Sequence, residues 1–150
     1  MTDTQLEHLF PIDGKLCALE SDTRNAAKEL VSALAGERLI LSLEGPLGAG
    51  KTCFVKGLAE ALKCDPKGVS SPTFSLIHEY TDGDLPFVHM DLYRLETAEE
   101  LDALGFDDLL ADSCLTAIEW GDKFLECLPP ETIRLAFSIE GEQRRIRLVR

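Results

Sequence analysis

LILSLEGPLGAGKTCFVKGL, residues 39–58, is the stretch that decides the fold of this chain. It begins with a mostly apolar run, continues with a loop rich in glycine, and ends in a new apolar pattern. Mostly apolar runs are typical of strands buried within a parallel sheet. Apolar residues recur at helical spacing from Phe54 to Leu62 and predict one buried face of a helix. The stretch therefore predicts a strand, a tight loop and an amphipathic helix in direct succession.

The loop matches the pattern G-x-x-x-x-G-K-[ST] at every fixed position. Glycines allow successive backbone N–H groups to converge on phosphate oxygens, and the helix that follows points its positive end at the same anion. Lys51 would bring its charge to the β- and γ-phosphates, and the hydroxyl of Thr52 would face Mg²⁺. A plain strand-to-helix turn is the alternative, but a chance match between a strand and a helix is rare. We predict a nucleoside-triphosphate site formed by Gly45, Leu47, Gly48, Ala49, Gly50, Lys51 and Thr52.

The remaining chain alternates strand and helix patterns, which favours an α/β fold. A short strand over 15–20 precedes a helix that Ser21 would cap and Gly36 would end. Two strand patterns flank the turn signal at Asp82, and another pair close the chain. We expect a single P-loop NTPase-like domain with a mixed, mostly parallel sheet, flanking helices and a C-terminal hairpin.

The expected domain covers residues 15–150. Residues 1–14 show no clean period and are expected to form a loose leader. A short helix is predicted after Thr97, which offers an N-cap with Glu100 at the capping-box position.

Acidic residues end two of the predicted strands. Asp91 follows the apolar run in PFVHMD, and Glu119 follows the run in LTAIE. Because the carboxyl ends of strands meet the phosphate loop in such sheets, either residue could hold a metal-bound water or orient the attacking water. Each could instead cap a helix or pair with a basic side chain. Ser71 and Thr73, in the segment SSPTF, are candidates for a switch-like loop, and a simple Ser-Pro turn is the alternative.

Composition restricts the class of protein further. The net charge of −12 disfavours direct binding of a nucleic-acid backbone. Five cysteines, an odd number without a CxxC pair, disfavour a disulfide framework or a zinc site and fit a reducing cytoplasm. No window approaches the roughly 18 apolar residues of a membrane span. The arginines of the final RRIRLVR predict a solvated edge strand or, alternatively, a patch that faces a phosphate or a partner.

Four motifs, GPLGAGKT, SPTFSLIHEY, HMDLYRL and IEW, follow one another in the order and spacing of a known family. With them the chain resembles the TsaE family, small bacterial ATPases of the tRNA threonylcarbamoyladenosine modification pathway. The resemblance implies that the loop binds ATP, that Thr52 and Glu119 hold Mg²⁺, and that Asp91 is required for hydrolysis. It further implies that Thr23 lies near the adenine and that residues 71–73 form the switch-like loop. The implied partners are the TsaB and TsaD proteins, and tRNA would be met only through their complex.

Without the resemblance, the residues predict Mg²⁺-dependent hydrolysis or transfer of a phosphoryl group and no more. A GTPase is disfavoured because no N-K-x-D motif is present. A small-molecule kinase stays open, although Arg94 is the only arginine between Arg38 and Arg134 and an arginine-rich lid would be expected. A nucleotide-gated scaffold, in which binding rather than turnover controls assembly, also stays open.

Overall fold

A computed structural model describes residues 1–69 and 76–150 of the chain. The helices are α1 (Asp3–Leu9), α2 (Glu20–Leu34), α3 (Lys51–Ala61), α4 (Ala98–Ala103) and α5 (Phe106–Asp112). The strands are β1 (Lys15–Cys17), β2 (Leu39–Glu44), β3 (Ile77–Tyr80), β4 (Phe87–Asp91), β5 (Leu115–Glu119), β6 (Ile133–Glu140) and β7 (Gln143–Leu148). Short 3-10 helices occupy Pro66–Gly68 and Gly121–Cys127. The predicted switch-like loop, with Ser71 and Thr73, lies outside the described residues.

The seven strands form one sheet in the order β1-β7-β6-β2-β5-β4-β3. β2 pairs in parallel with β5 and β6, and β4 pairs in parallel with β5. The β1–β7, β3–β4 and β6–β7 pairs are antiparallel. Only β3 and β7 therefore oppose the direction of the other five strands. The α/β fold, the mixed and mostly parallel sheet and the C-terminal hairpin are confirmed.

Apolar side chains cover both faces of the sheet. One core cluster joins α2 and α3 to the first face, and a second joins α4 and α5 to the other. Because side chains alternate along a strand, β5 directs Ala117 into the first cluster and Ile118 into the second. Glu119 returns to the first face, the side on which α3 follows the phosphate loop. Within the described part of the chain, no helix combines the length and apolar character that crossing a membrane requires.

The first fourteen residues differ from their prediction. Thr2 caps α1 by accepting a hydrogen bond from the Gln5 N–H, and the Gln5 side chain accepts one from the Thr2 N–H. Leu6 and Phe10, four residues apart, are buried in the cluster beside α2 and α3. The capping box and this apolar pair fix the segment, so it is not the loose leader that its sequence predicted.

Two further expectations were wrong in detail. The second helix begins at Glu20 rather than after a Ser21 cap, because the Asp22 carboxylate accepts the Leu19 N–H. The arginine-rich β7 is not an edge strand, since it lies between β1 and β6. The sequence also did not predict α5 or the 3-10 helix after β5. Thr97 does cap α4, accepting the Glu100 N–H as expected.

Candidate functional site

The glycine-rich loop connects β2 to α3 in a tight turn. Gly45, Gly48 and Gly50 have φ angles of 139°, 80° and 103°, a region that side chains disfavour. A Cβ at position 45 would also overlap with the carbonyl oxygen of Phe137 on β6. Within the turn, the Ala49 N–H donates to the Pro46 carbonyl at 3.2 Å. The first amides of α3 have no intrahelical acceptor and are available to an anion above the loop.

Lys51 is folded back over this loop with only 5% of its surface exposed. Its Nζ donates to the Gly45 carbonyl at 2.6 Å and lies 4.4 Å from the centre of the Trp120 ring. Burial lowers the pKa of the Lys51 ammonium, and the neighbouring carboxylates, Glu119 first, oppose that shift. The ammonium is thus held at the mouth of the loop, poorly hydrated, with a carbonyl and an aromatic face as its partners.

Two buried carboxylates lie on the same edge of the sheet. Asp91 and Glu119 are register partners at the ends of β4 and β5, and they are 5% and 4% exposed. The Tyr93 N–H donates to Asp91 Oδ1 at 2.9 Å. β2, which carries the loop, runs parallel to β5, so the strand ends bring both carboxylates towards Lys51. The negative charges of Glu119 and Asp91 both raise the pKa of the Lys51 ammonium. The predicted position of Asp91 and Glu119 at the carboxyl ends of strands is confirmed.

A cleft of about 450 Å³ opens between the loop and these strand ends. It combines loop residues with three carboxylates, two aromatic rings and two basic side chains besides Lys51. Its lining comprises Glu20, Arg24, Leu47, Gly48, Gly50, Lys51, Thr52, Cys53, Lys56, Asp91, Tyr93, Glu119 and Trp120. A volume of this order is typical of small-molecule sites. A larger depression of about 830 Å³ runs along α1 and α2, but it contains no phosphate-binding loop.

Most residues of the predicted site line this cleft, but they differ in how exposed they are. Thr52 is half-buried at the start of α3, and Leu47 is 83% exposed at the tip of the loop. Thr23 is buried beside Gly50 and does not line the cleft. Glu20 and Arg24, on the same helix, line it. The role of Thr23 near an adenine stays a prediction from resemblance.

Trp120 and Tyr93 form an aromatic wall of the cleft. Trp120 has a φ of 62°, in the left-handed region that only a minority of non-glycine residues adopt. Its ring lies 5.1 Å from that of Tyr93, and the Lys123 Nζ donates to the Tyr93 carbonyl at 2.7 Å. The sequence signal for this wall is a tryptophan that directly follows Glu119, the acid at the end of β5.

The C-terminal hairpin contributes polar contacts to the loop. Arg134 of β6 donates to both carboxylate oxygens of Glu44, at 2.5 and 3.1 Å, directly before Gly45. This bond with Glu44 raises the pKa of Arg134. Arg144 of β7 donates from Nε to the Gly48 carbonyl at 2.9 Å. One arginine of the RRIRLVR segment therefore contacts the glycine-rich loop, and a role of this segment in facing a phosphate or a partner stays a prediction.

The oxygen donors around the cleft suit Mg²⁺ better than a softer metal. Among the described residues, no three His, Cys, Asp or Glu side chains converge in a metal-binding group. Mg²⁺ prefers oxygen and is commonly bound by one or two carboxylates together with water and substrate phosphates. The Thr52 hydroxyl and the Asp91 and Glu119 carboxylates, all lining one cleft, match that donor set.

Comparison with known proteins identifies a family that the chain matches. Residues 17–147 match the model of the family described as Threonylcarbamoyl adenosine biosynthesis protein TsaE. The tRNA threonylcarbamoyladenosine biosynthesis protein TsaE of Bacillus subtilis is 42% identical over 124 residues, which are 83% of this chain and 76% of that protein. The Aquifex aeolicus protein of the same name is 36% identical over 132 residues, 87% of this chain and 91% of its relative.

A solved structure shares the fold. The crystal structure of Bacillus subtilis YdiB superposes with a TM-score of 0.70 at 34% sequence identity, covering 89% of this chain and 82% of that one. The family match spans the phosphate loop, both strand-end carboxylates and Trp120. The chain belongs to the TsaE family.

Proposed function

We propose that this protein is an Mg²⁺-dependent ATPase that serves tRNA threonylcarbamoyladenosine biosynthesis together with the TsaB and TsaD proteins. The proposal rests on one observation: residues of a complete phosphate-loop motif line the same cleft as Asp91 and Glu119. The pathway is the one for which the relatives from Bacillus subtilis and Aquifex aeolicus are named. ATP is the nucleotide that family membership favours.

Phosphate binding would fall to the loop and to Lys51. The amides at 48–52 would donate to phosphate oxygens, with the Ala49 N–H exchanging the Pro46 carbonyl for one of them and the positive end of α3 behind them. The Lys51 ammonium would exchange the Gly45 carbonyl for an anionic oxygen, a stronger partner for a poorly hydrated cation. Arg24 and Lys56, which line the same cleft, add positive charge around the anion.

Metal binding would fall to Thr52 and Glu119. When bound there, Mg²⁺ would neutralise charge on the phosphates and orient them for in-line attack. The Thr52 hydroxyl follows Lys51 directly, as the phosphate-loop pattern requires. Glu119 supplies a buried carboxylate at the adjacent strand end.

Asp91 is the residue best suited to act on the attacking water. It is the register partner of Glu119 on β4, so it would face the same phosphate from the neighbouring strand. The Tyr93 N–H donates to Oδ1 and so fixes the orientation of the carboxylate, as a group that positions a water or takes its proton requires.

Exposed apolar side chains at the mouth of the cleft support dependence on partners. Leu47 is 83% exposed and Tyr93 is 54% exposed, both on the lining of the site. Covering this rim would exclude water from the phosphates, which strengthens electrostatic interactions inside. The rim also favours the second candidate, a scaffold whose assembly is gated by nucleotide without useful turnover.

Composition supports the remaining parts of the proposal. A net charge of −12 favours contact with tRNA through the partner proteins rather than directly. All five cysteines are free thiols, in keeping with a reducing cytoplasm.

The test is hydrolysis of Mg-ATP by the purified protein, alone and with its cognate TsaB and TsaD proteins. We expect slow turnover alone, faster turnover with both partners, and loss of both with a chelator. Fast turnover that ignores the partners would contradict the proposed dependence on TsaB and TsaD and would call for a search for a small-molecule phosphoryl acceptor. Nucleotide binding without hydrolysis in any mixture would favour the scaffold. In the same assay Asp91→Asn should lower turnover, and Asp108→Asn, an exposed change on α5, is its matched control.

A further inference from the structure

A buried histidine stands next to the two carboxylates. His89 lies on β4, two residues before Asp91, and its surface is completely buried. Its Nε2 lies 2.6 Å from Glu119 Oε2. Its Nδ1 has no hydrogen-bond partner among the described residues. Within residues 1–69 and 76–150, the Glu119 carboxylate is therefore the only polar partner of this ring.

The unequal environments of the two ring nitrogens define the direction of the bond. A neutral imidazole carries one N–H donor and one bare nitrogen. A proton on Nδ1 would be a buried donor without an acceptor, which is costly. Nε2 must donate, because an ionised carboxylate can only accept.

This bond controls how Glu119 presents its second oxygen. We propose that His89 is a positioning residue, which holds Glu119 through Oε2 and thereby turns Oε1 to the cleft for Mg²⁺. The inference rests on the proposed function, in which Glu119 holds the metal. Hydrogen bonds of this kind orient metal-binding carboxylates, and losing one typically costs about 10- to 100-fold in metal affinity.

A second histidine, His78, lies next to His89 in the sheet but in different surroundings. His78 on β3 pairs with His89 in register, but it is half-buried and its Nδ1 lies 3.4 Å from the Tyr80 hydroxyl. It has no contact with either carboxylate among those described. His78→Gln is therefore a matched control for changes at position 89.

Two amide substitutions separate positioning from packing. His89→Gln places an amide near the position of Nε2 and can still donate to Glu119, whereas His89→Asn places its amide near Nδ1 and cannot reach. Each variant is titrated with fluorescent ADP in a chelator, and then with Mg²⁺ at fixed nucleotide. We expect His89→Asn to raise the half-saturating Mg²⁺ concentration about 10- to 100-fold. Metal-free ADP affinity should stay within about two-fold, and His89→Gln and His78→Gln should both bind Mg²⁺ within about three-fold of wild type.

The outcomes distinguish the positioning role from the function on which it rests. Equal Mg²⁺ affinity in the Asn and Gln variants, or equal loss of metal-free ADP affinity in both, would overturn the role of His89. Wild-type protein whose nucleotide binding ignores Mg²⁺ would overturn the proposed function and this inference with it. In a Glu119→Ala background, the difference between Asn and Gln should vanish, and its persistence would contradict the inference.

If the variants fail to fold, a measurement on the unmodified protein still tests the inference. ¹⁵N NMR of the metal-free wild type should show the His89 ring proton on Nε2 and none on Nδ1. A ring proton on Nδ1 alone would contradict the bond to Glu119 and overturn the inference.

Discussion

Three charged side chains of the cleft are buried, whereas the Arg145–Glu140 pair of the C-terminal hairpin is partly exposed to water. Lys51, Asp91 and Glu119 are each 5% exposed or less, whereas Arg145 and Glu140 form a 2.7 Å ion pair with both side chains partly in water. Exposed pairs add little to stability. Burying charge costs free energy that pairing recovers only in part. On the proposed function, the cleft charges are retained for the phosphates and metal that they would bind, whereas the exposed Arg145–Glu140 pair adds only local order.

The strands beside the cleft sharpen this contrast. Met90 and Ile118 occupy the opposite face of the same two strand ends and pack into the apolar cluster under α4 and α5. Apolar residues would serve stability equally well at positions 91 and 119. The sheet instead places two acids there, opposite a lysine whose pKa is lowered by burial.

The largest effect is expected from Lys51→Ala. Removing a buried cation that faces an anion costs about 3–4 kcal/mol, or roughly 100- to 1,000-fold in nucleotide affinity. Fluorescent ADP binding measures this loss, with the exposed Lys63→Ala as the control. Wild-type affinity in Lys51→Ala would show that the buried charge does not bind phosphate.

Asp91→Asn should leave nucleotide binding within about two-fold and lower turnover roughly 100-fold, the usual contribution of a positioned acid–base group. Asparagine keeps an oxygen for the Tyr93 N–H but loses the negative charge. Steady-state hydrolysis with the partner proteins measures the effect. Unchanged turnover would remove Asp91 from the reaction.

Gly45→Ala should lower the free energy of unfolding by about 2 kcal/mol. The φ of 139° disfavours a side chain, and the added Cβ would overlap with the Phe137 carbonyl oxygen. Chemical denaturation measures the change. Gly68→Ala, whose Cβ would meet open space, is the control, and equal stability of the two variants would contradict a loop held by close approach to β6.

The smallest effect is expected from Arg145→Ala, about 2 °C or less in Tm. Arg145 lowers the pKa of Glu140 by hydrogen bonding, so the pair stabilises the fold above the ordinary carboxyl pKa and loses this contribution as pH falls through the lowered value. The Tm difference from wild type should therefore be largest at neutral pH and shrink in acid to the part that comes from the bond between Arg145 and the Asp13 carbonyl. A difference that grows on acidification would contradict this sign.

Local signals in the sequence predicted the loop, because Gly45 to Thr52 are contiguous and their chemistry is fixed by the motif. They also placed Asp91 and Glu119 at strand ends, since an acid that closes an apolar run has few other positions to occupy. The bond between His89 and Glu119 joins residues 30 positions apart and depends on strand order, which no local pattern specifies.

The same distinction explains the errors in the fold. β7 is covered by β1 from the far end of the chain, so its arginines could not be identified as interior-strand residues from the hairpin alone. α1 is short, and its stability comes from burying Leu6 and Phe10 against distant residues as well as from its cap.

A crystal structure of the protein with Mg²⁺ and a non-hydrolysable ATP analogue tests the central claim most directly. The account predicts phosphates on the amides of residues 48–52, Lys51 released from the Gly45 carbonyl, and Mg²⁺ on Thr52 and Glu119 beside Asp91. Nucleotide bound elsewhere, such as in the depression along α1 and α2, or phosphates on the loop with Glu119 still remote from the metal, would contradict it.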